Sequence, residues 1–362
     1  MIERVAAVAG VVLALGAAAV VAIAIWPDRA GEDGSISTGK YRGNPVTGTK
    51  ATRTDPGEGG TAAGVGGPPD IGTAPLPPET RFMLRPVTGR LPVRYRFKHP
   101  PLAGILFDVK SGEVLWQRHP RLEHPIASLT KMMTALLVAQ RDPPVARVRI
   151  SAKAAHAPGS ATGLLPRGRK VPLEPLLQAL IMISANDAAV ALAQHDGGTT
   201  THFVKEMNRQ AHLMGLSCTH FSTPNGLRDR GNYSCPLDLA ELARADLANP
   251  RIARIAQTRY AKPRFPIKGK HLYLSNNHYF LQRGLTDLPE ARVTGLKTGF
   301  TDPAGRCYAT TAGIGTHQLG VVLMHSPDPI TQVPALLRAG FEEVGAVAPS
   351  PKPAGSKPPP DD

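Results

Sequence analysis

A chain of 362 residues with 36 glycines, 36 prolines and only 5% aromatic residues is not one ordinary domain folded from end to end. A formal net charge of +14 would suit nucleic acid in a cytosolic protein, but no basic stripe interleaved with aromatics is legible, and scattered solvated charge is the default reading. For an exported chain, anionic head groups or cell-wall polymers are the natural counterparts of such charge.

Residues 5–26, VAAVAGVVLALGAAAVVAIAIW, are apolar throughout and long enough to cross a ~30 Å hydrocarbon layer as a helix. Residues 1–26 are therefore expected to be a membrane anchor or, if Ala22-Ile23-Ala24 is cleaved, a signal peptide; either way the chain is exported. Residues 27–95 are rich in proline and glycine without apolar periodicity and read as a flexible linker. Residues 346–362, which include PSPKPAGSKPPPDD, read as a disordered tail for the same reason. That leaves 96–345 as the folded domain.

Within it, GILFDV and EVLWQ flank a KSG turn and predict a hairpin over 104–117. PIASLTKMMTALLVAQ follows, with an apolar face at helical spacing from Met132 to Ala139. Residues 173–195 predict two helices broken at Ser184–Asn186, with Asn186 or Asp187 capping the second. Further helices are predicted over 201–215 and from 236. Strands then follow at LKTGF, CYATTAG and QLGVVLMHS, and a last helix at about 331–344. The order hairpin, helices, strands, helix predicts an α+β fold with a mostly antiparallel sheet.

Three short patterns carry chemistry: Ser128-x-x-Lys131, Ser184-x-Asn186 and Lys297-Thr298-Gly299. Each has a decoy: Ser37–Lys40, Ser275–Asn277 and Lys110–Gly112. Only the first set comes in a consistent order at a helix start, a helix break and a late strand. Residues three apart on a helix are neighbours, so Lys131 can reach the Ser128 hydroxyl. A serine needs such a base to become a nucleophile, and a lysine is a base only if burial or nearby positive charge lowers its pKa. Lys297 can supply that charge. The bland alternative is Ser128 as a plain N-cap.

ASLTKMMTALLV, ISANDAAVALA and GLKTGFTDPAGRC resemble the three active-site boxes of penicillin-binding serine D-alanyl-D-alanine carboxypeptidases. GSATGLLPRG and THFSTPNGL extend the likeness, which covers about residues 100–345. The resemblance implies a sheet flanked by helices with a helical subdomain holding Ser184 and Asn186. It implies acylation of Ser128 by the D-Ala-D-Ala end of peptidoglycan stem peptides, with Lys131 as base and Ser184 as proton relay. Asn186 would hold the substrate amide, Lys297 and Thr298 the terminal carboxylate, and Gly299 would let substrate lie along the strand edge. The N–H groups of Ser128 and Phe300 would form the oxyanion hole. β-Lactams would acylate the same serine. Many members carry an extra β-rich domain and a C-terminal amphipathic helix; this sequence shows neither, so the N-terminal segment is expected to hold it at the membrane. A monomer is expected, without nucleic acid or cofactor.

The competing readings are a β-lactamase, a DD-endopeptidase and a non-catalytic wall-binding protein. A lactamase needs a positioned glutamate, and Glu206 in FVKEMNRQ reads as a solvated helix charge. GLLPRGRK lacks the lysine and hydroxyl of a P-loop. Asn232-Tyr-Ser234 fits a glycosylation sequon, and the twelve histidines show no metal-ligand spacing. Cys218 and Cys235 flank a turn-rich stretch and can bridge in an oxidising compartment, while Cys307 reads as core.

Overall fold

Strand β1 (Ala103–Asp108) is apolar on both faces, and Ile105, Leu106 and Phe107 are all fully buried. A strand of that kind needs cover on both sides of its sheet. The computed structural model, which describes residues 82–349 apart from positions 86, 88 and 229, supplies it. Ile105 and Phe107 point into a large core with the central helices, while Leu106 points into a second core with Leu336, Leu337 and Phe341 of the last helix.

The elements run in the order that the sequence predicts, with short additions. After β1 come β2 (Val114–Arg118), β3 (His124–Pro125), a 3₁₀ turn (Ala127–Thr130) and α1 (Lys131–Arg141). Then follow β4 (Arg147–Arg149), α2 (Ala152–Ala155), β5 (Lys170–Pro172), α3 (Leu173–Met182), α4 (Asn186–Gly197) and α5 (Thr200–Leu213). Next are β6 (Tyr233–Ser234), α6 (Pro236–Ala248), α7 (Pro250–Ala256), β7 (Tyr260–Ala261), β8 (Leu274–Ser275) and α8 (Tyr279–Arg283). The chain closes with β9 (Arg292–Thr301), β10 (Gly305–Ile314), β11 (His317–Ser326) and α9 (Pro329–Glu343). The main sheet has the order β2-β1-β11-β10-β9, antiparallel throughout, which leaves β9 at an edge. The α+β class with an antiparallel sheet flanked by helices is thus the observed one.

The segment expected as signal peptide or anchor, and the linker as far as residue 81, lie outside the described residues. The packed chain begins before residue 96, however. Phe82, Leu84 and Val93 are buried, Leu84 N–H donates to Glu241, and Arg244 donates to the carbonyls of Phe82 and Met83. Three apolar side chains spread over a dozen residues make no periodic signal, so the sequence shows no element there. At the other end, Ala346 N–H donates back to the Phe341 carbonyl, which keeps the chain against α9 just past its last turn. No described helix is long and apolar enough to cross a membrane. Cys218 and Cys235 form a disulfide, with Cα atoms 5.9 Å apart, and Cys307 is buried in β10.

Candidate active site

Ser128 is not an N-cap. It lies inside the 3₁₀ turn, and Thr130 occupies the N-cap position of α1 without a side-chain capping bond. The Ser128 hydroxyl instead accepts from Lys131 Nζ at 2.9 Å. The same Nζ donates to the Asn225 carbonyl at 2.7 Å, so the amine is held from two sides. Lys131 is 1% exposed. Burial, and then the positive charge of Lys297, hold its pKa well below the ordinary lysine range. Lys297 does supply charge as the sequence suggests, but burial is the larger cause.

The 3₁₀ turn is shaped by a tight fit with the 222–227 loop. Ala127 adopts φ +47°, in the left-handed region that favours glycine. Gly226, at φ +73°, lies so close that a Cβ there would collide with the Ala127 carbonyl. Thr130 Oγ1 donates to the Ala127 carbonyl and accepts from Asn232 Nδ2, and Thr134 Oγ1 donates to the Pro224 carbonyl. Asn232 is fully buried and also accepts from Ser222 N–H. Its place is structural, and the sequon match is not an accessible glycan site.

Strand β9 closes the second wall. A Cβ on Gly299 would stand 2.8 Å from the Ser128 nitrogen and 3.1 Å from the Ile126 carbonyl. Only glycine allows the strand this close to the Ser128 N–H. Lys297 is buried, donates to the Thr298 carbonyl at 2.8 Å, and is pushed by burial down to about 7. His278 packs behind it, bonded to Thr310 Oγ1 at 3.1 Å and held neutral with a value of about 3 by burial and by Lys297. The Phe300 side chain is 46% exposed at the end of the edge. Beyond it lies a cavity of about 620 Å³ whose lining includes Arg118, Asp302, Arg306 and His325.

The third wall is the break between α3 and α4. Ser184 takes φ +59°, and its buried hydroxyl has no hydrogen-bond partner among the described residues. Asn186 begins α4, and its Nδ2 donates to the Pro158 carbonyl at 2.7 Å. Neither Asn186 nor Asp187 caps the helix as the sequence suggests, since Ala185 is the N-cap. The Asp187 carboxylate turns outward to the preceding loop, accepting from Thr162 N–H, Thr162 Oγ1 and Gly163 N–H. It thereby fastens the 158–163 loop beside Asn186. Sequence reasoning offered Asp187 only as a helix cap and gave no role to Asn225, Gly226 or His278. The only available signal was that Asp187, Asn225 and Gly226 lie inside the quoted boxes.

The decoys make other bonds. Lys110 Nζ donates to the Thr316 carbonyl at a hairpin end, and Asn277 N–H donates to the Met182 carbonyl at the end of α3. Ser37 and Lys40 lie outside the described residues. Glu206 is tied up by Arg141 and Arg209, which draws its pKa down. Lys131, Lys297 and the hydroxyls of Ser128 and Ser184 include no carboxylate, thiolate or imidazole to ligate a metal. Among the described residues, the one cluster with metal-ligand atoms is Cys218, Cys235 and Asp238, whose sulfurs are joined in the disulfide.

The sequence profile of one family, described as D-alanyl-D-alanine carboxypeptidase, matches residues 99–328. The chain belongs to this family. Among curated relatives of this D-alanyl-D-alanine carboxypeptidase family member, the carboxypeptidase DacF of Bacillus subtilis is 30% identical over 236 residues, covering 64% of this chain and 59% of the relative. DacB2 of Mycobacterium tuberculosis is 32% identical over 228 residues, covering 62% and 75%. A crystal structure of a D-alanyl-D-alanine carboxypeptidase from Mycobacterium tuberculosis superposes with a TM-score of 0.63 at 29% identity, covering 72% of this chain and 96% of that one. The matched region spans only 53–59% of the length of the first curated relatives.

Proposed function

We propose that this chain is a serine D-Ala-D-Ala carboxypeptidase that trims peptidoglycan stem peptides through an acyl-enzyme on Ser128. The observation that carries the reading is the Lys131 Nζ–Ser128 Oγ contact of 2.9 Å, made by a buried lysine whose pKa is lowered. A neutral Lys131 takes the hydroxyl proton as Ser128 Oγ bonds to the carbonyl carbon of the penultimate D-alanine. Asn225, which accepts from the same amine, keeps the lone pair aimed at Oγ. The C–N bond then breaks, and the departing amine of the terminal D-alanine receives a proton relayed by Ser184. Water next attacks the ester, Ser128 regains its proton, and the shortened peptide leaves.

Around this centre, the N–H groups of Ser128 and Phe300 stabilise the oxyanion, as backbone donors held in place before the reaction do. Asn186 holds the substrate amide and Lys297 with Thr298 the terminal carboxylate, an ammonium and a hydroxyl being suited to a free carboxylate. Gly299 leaves room for a peptide along the edge. The cavity past Phe300 receives the upstream part of the stem peptide. An enzyme with this substrate works outside the cytoplasm, facing the wall, with residues 1–26 as its anchor or leader. A β-lactam enters by the same chemistry, and Glu206, bound to two arginines, supplies no deacylating base.

The test is to treat the full chain with a labelled penicillin and with a pentapeptide ending in D-Ala-D-Ala. Label on Ser128, its loss in a folded Ser128→Ala variant, and release of free D-alanine are expected. Label elsewhere, or cross-linked dimers forming faster than D-alanine is released, refutes the reading.

A further inference from the structure

Two long stretches of the sequence hold no acidic residue: 143–173, with six lysines and arginines, and 247–286, with eight. They are far apart in the chain and meet in the fold. The first forms the β4–β5 ribbon, in which Arg147 pairs with Pro172 and Arg149 with Lys170. Val148 and Val171 point inward and are fully buried, so Arg147, Arg149 and Lys170 stand outward in solvent. The second forms the β7–β8 ribbon, which the Arg264–His271 bridge extends. Phe265, Leu272 and Leu274 of this ribbon point inward and are buried. By the same alternation Tyr260, Lys262, Arg264, His271 and Tyr273 face outward.

The two outward faces adjoin. Arg169 Nη1 donates to the Pro266 carbonyl across the seam, and a groove of about 410 Å³ between the ribbons is lined by Arg147, Arg264, Lys270 and His271. No residue of the Ser128 site lines it. Among the described residues none of these cations, nor Lys268 at the ribbon's tip, has an acidic partner. Glu174, which ends the first stretch, is already shared by Arg251 and Arg254. Tyr260 and Tyr273 are 70% and 71% exposed, and Lys262 Nζ stacks 5.1 Å from the Tyr273 ring centre.

We infer that this face docks on a bilayer surface rich in acidic phospholipid. Unpaired cations draw the domain to anionic head groups, and each adds to the attraction within a Debye length of the surface. The tyrosines separate a lipid surface from a soluble phosphodiester polymer. Their rings favour the depth where head groups meet acyl chains, with the hydroxyl in the polar layer, whereas a polyanion needs only the cations. The inference stands independently of the peptidase reading, because it uses none of that site's residues.

The experiment uses the full chain on vesicles of phosphatidylcholine, with and without phosphatidylglycerol, and reads amine acetylation of individual lysines by mass spectrometry. A local readout is needed because residues 5–26 can hold the chain on either vesicle. Lys268 and Lys270 should be protected about tenfold or more on the acidic vesicles relative to the neutral ones, while Lys98 and Lys205 should not change. A Tyr260→Ser/Tyr273→Ser variant should lose most of that protection yet keep the far-UV circular dichroism and cooperative thermal unfolding of the unmodified chain, showing that the fold persists. Equal protection on both vesicles, or protection of all four lysines alike, overturns the inference. So does equal protection by soluble polyglycerol phosphate that the tyrosine variant leaves intact, which would make the face a polymer site.

Discussion

Lys131 and Lys297 are buried, at 1% and 3% exposure, beside the 3₁₀ turn and in β9, whereas Lys268 and Lys270 stand in solvent at the edge of the basic face. The side chain is the same and the surroundings reverse its chemistry. In the first region, desolvation works against the charged form, which makes an amine that can take a proton at neutral pH. In the second, the side chains stand open to an outside anion. On the proposed reading, the first region works through a lone pair and one carboxylate at short range. The second works through summed charge, which salt weakens.

The largest effect expected from breaking this contrast is at Lys131. Lys131→Arg keeps a positive charge but removes a group able to lose it, so penicillin acylation should slow by at least ~10²-fold with folding retained. A near-normal acylation rate in stopped-flow experiments would place the base elsewhere.

Next comes Lys297→Met, which should act in opposite directions on stability and on activity. The buried charge opposes folding, so chemical denaturation at neutral pH should show the variant more stable by about 1–4 kcal/mol. Discrimination between a peptide with a free C-terminal carboxylate and its amide should shrink by ~1.5–3 kcal/mol, the range for a hydrogen bond to a charged group. A variant that is less stable, or that still prefers the carboxylate, would show that Lys297 is not the buried cation that reads it.

The pH dependence sharpens the same point. Lys131 must be neutral and Lys297 charged, so kcat/KM should rise with pH as Lys131 loses its proton and fall above about 7 as Lys297 does. Lys297→Met should lack that fall. For stability the sign follows from a folded-state value below the ordinary 10.5: the unfolding free energy should decrease as pH drops from that range toward about 7. In the Lys297→Met variant this slope should lessen, leaving the part that the buried Lys131 contributes.

The smallest effect is expected at the exposed pair. Lys268→Ala/Lys270→Ala should change stability by no more than ~0.5 kcal/mol, as surface substitutions do, and should leave penicillin labelling unchanged. A large loss of either would mean that the basic face supports the catalytic fold.

Much of this was readable because it is local. A serine and a lysine three apart meet on any helical turn, whatever surrounds them. The β1–β2 hairpin, the break at Ser184 and the strands from β9 to β11 follow from alternation, helical periodicity and turn residues over short windows. What pairs across the chain was not readable in that way. The carbonyl that holds Lys131 comes from Asn225, 94 residues away, and the burial that lowers its pKa exists only once the 222–227 loop closes on Ala127. Asn232 showed in the sequence only a match to a glycosylation sequon, and packing reveals that it holds the 3₁₀ turn. The net charge read as scattered because its two acid-free stretches lie some 75 residues apart. Alternation in each ribbon turns the cations outward, but only the tertiary fold, through the Arg169–Pro266 seam, joins them into one surface. Chemistry set by a few bonds of chain was fixed by residue order, whereas pKa values and surface fields depend on which distant groups displace water, and that is decided by folding.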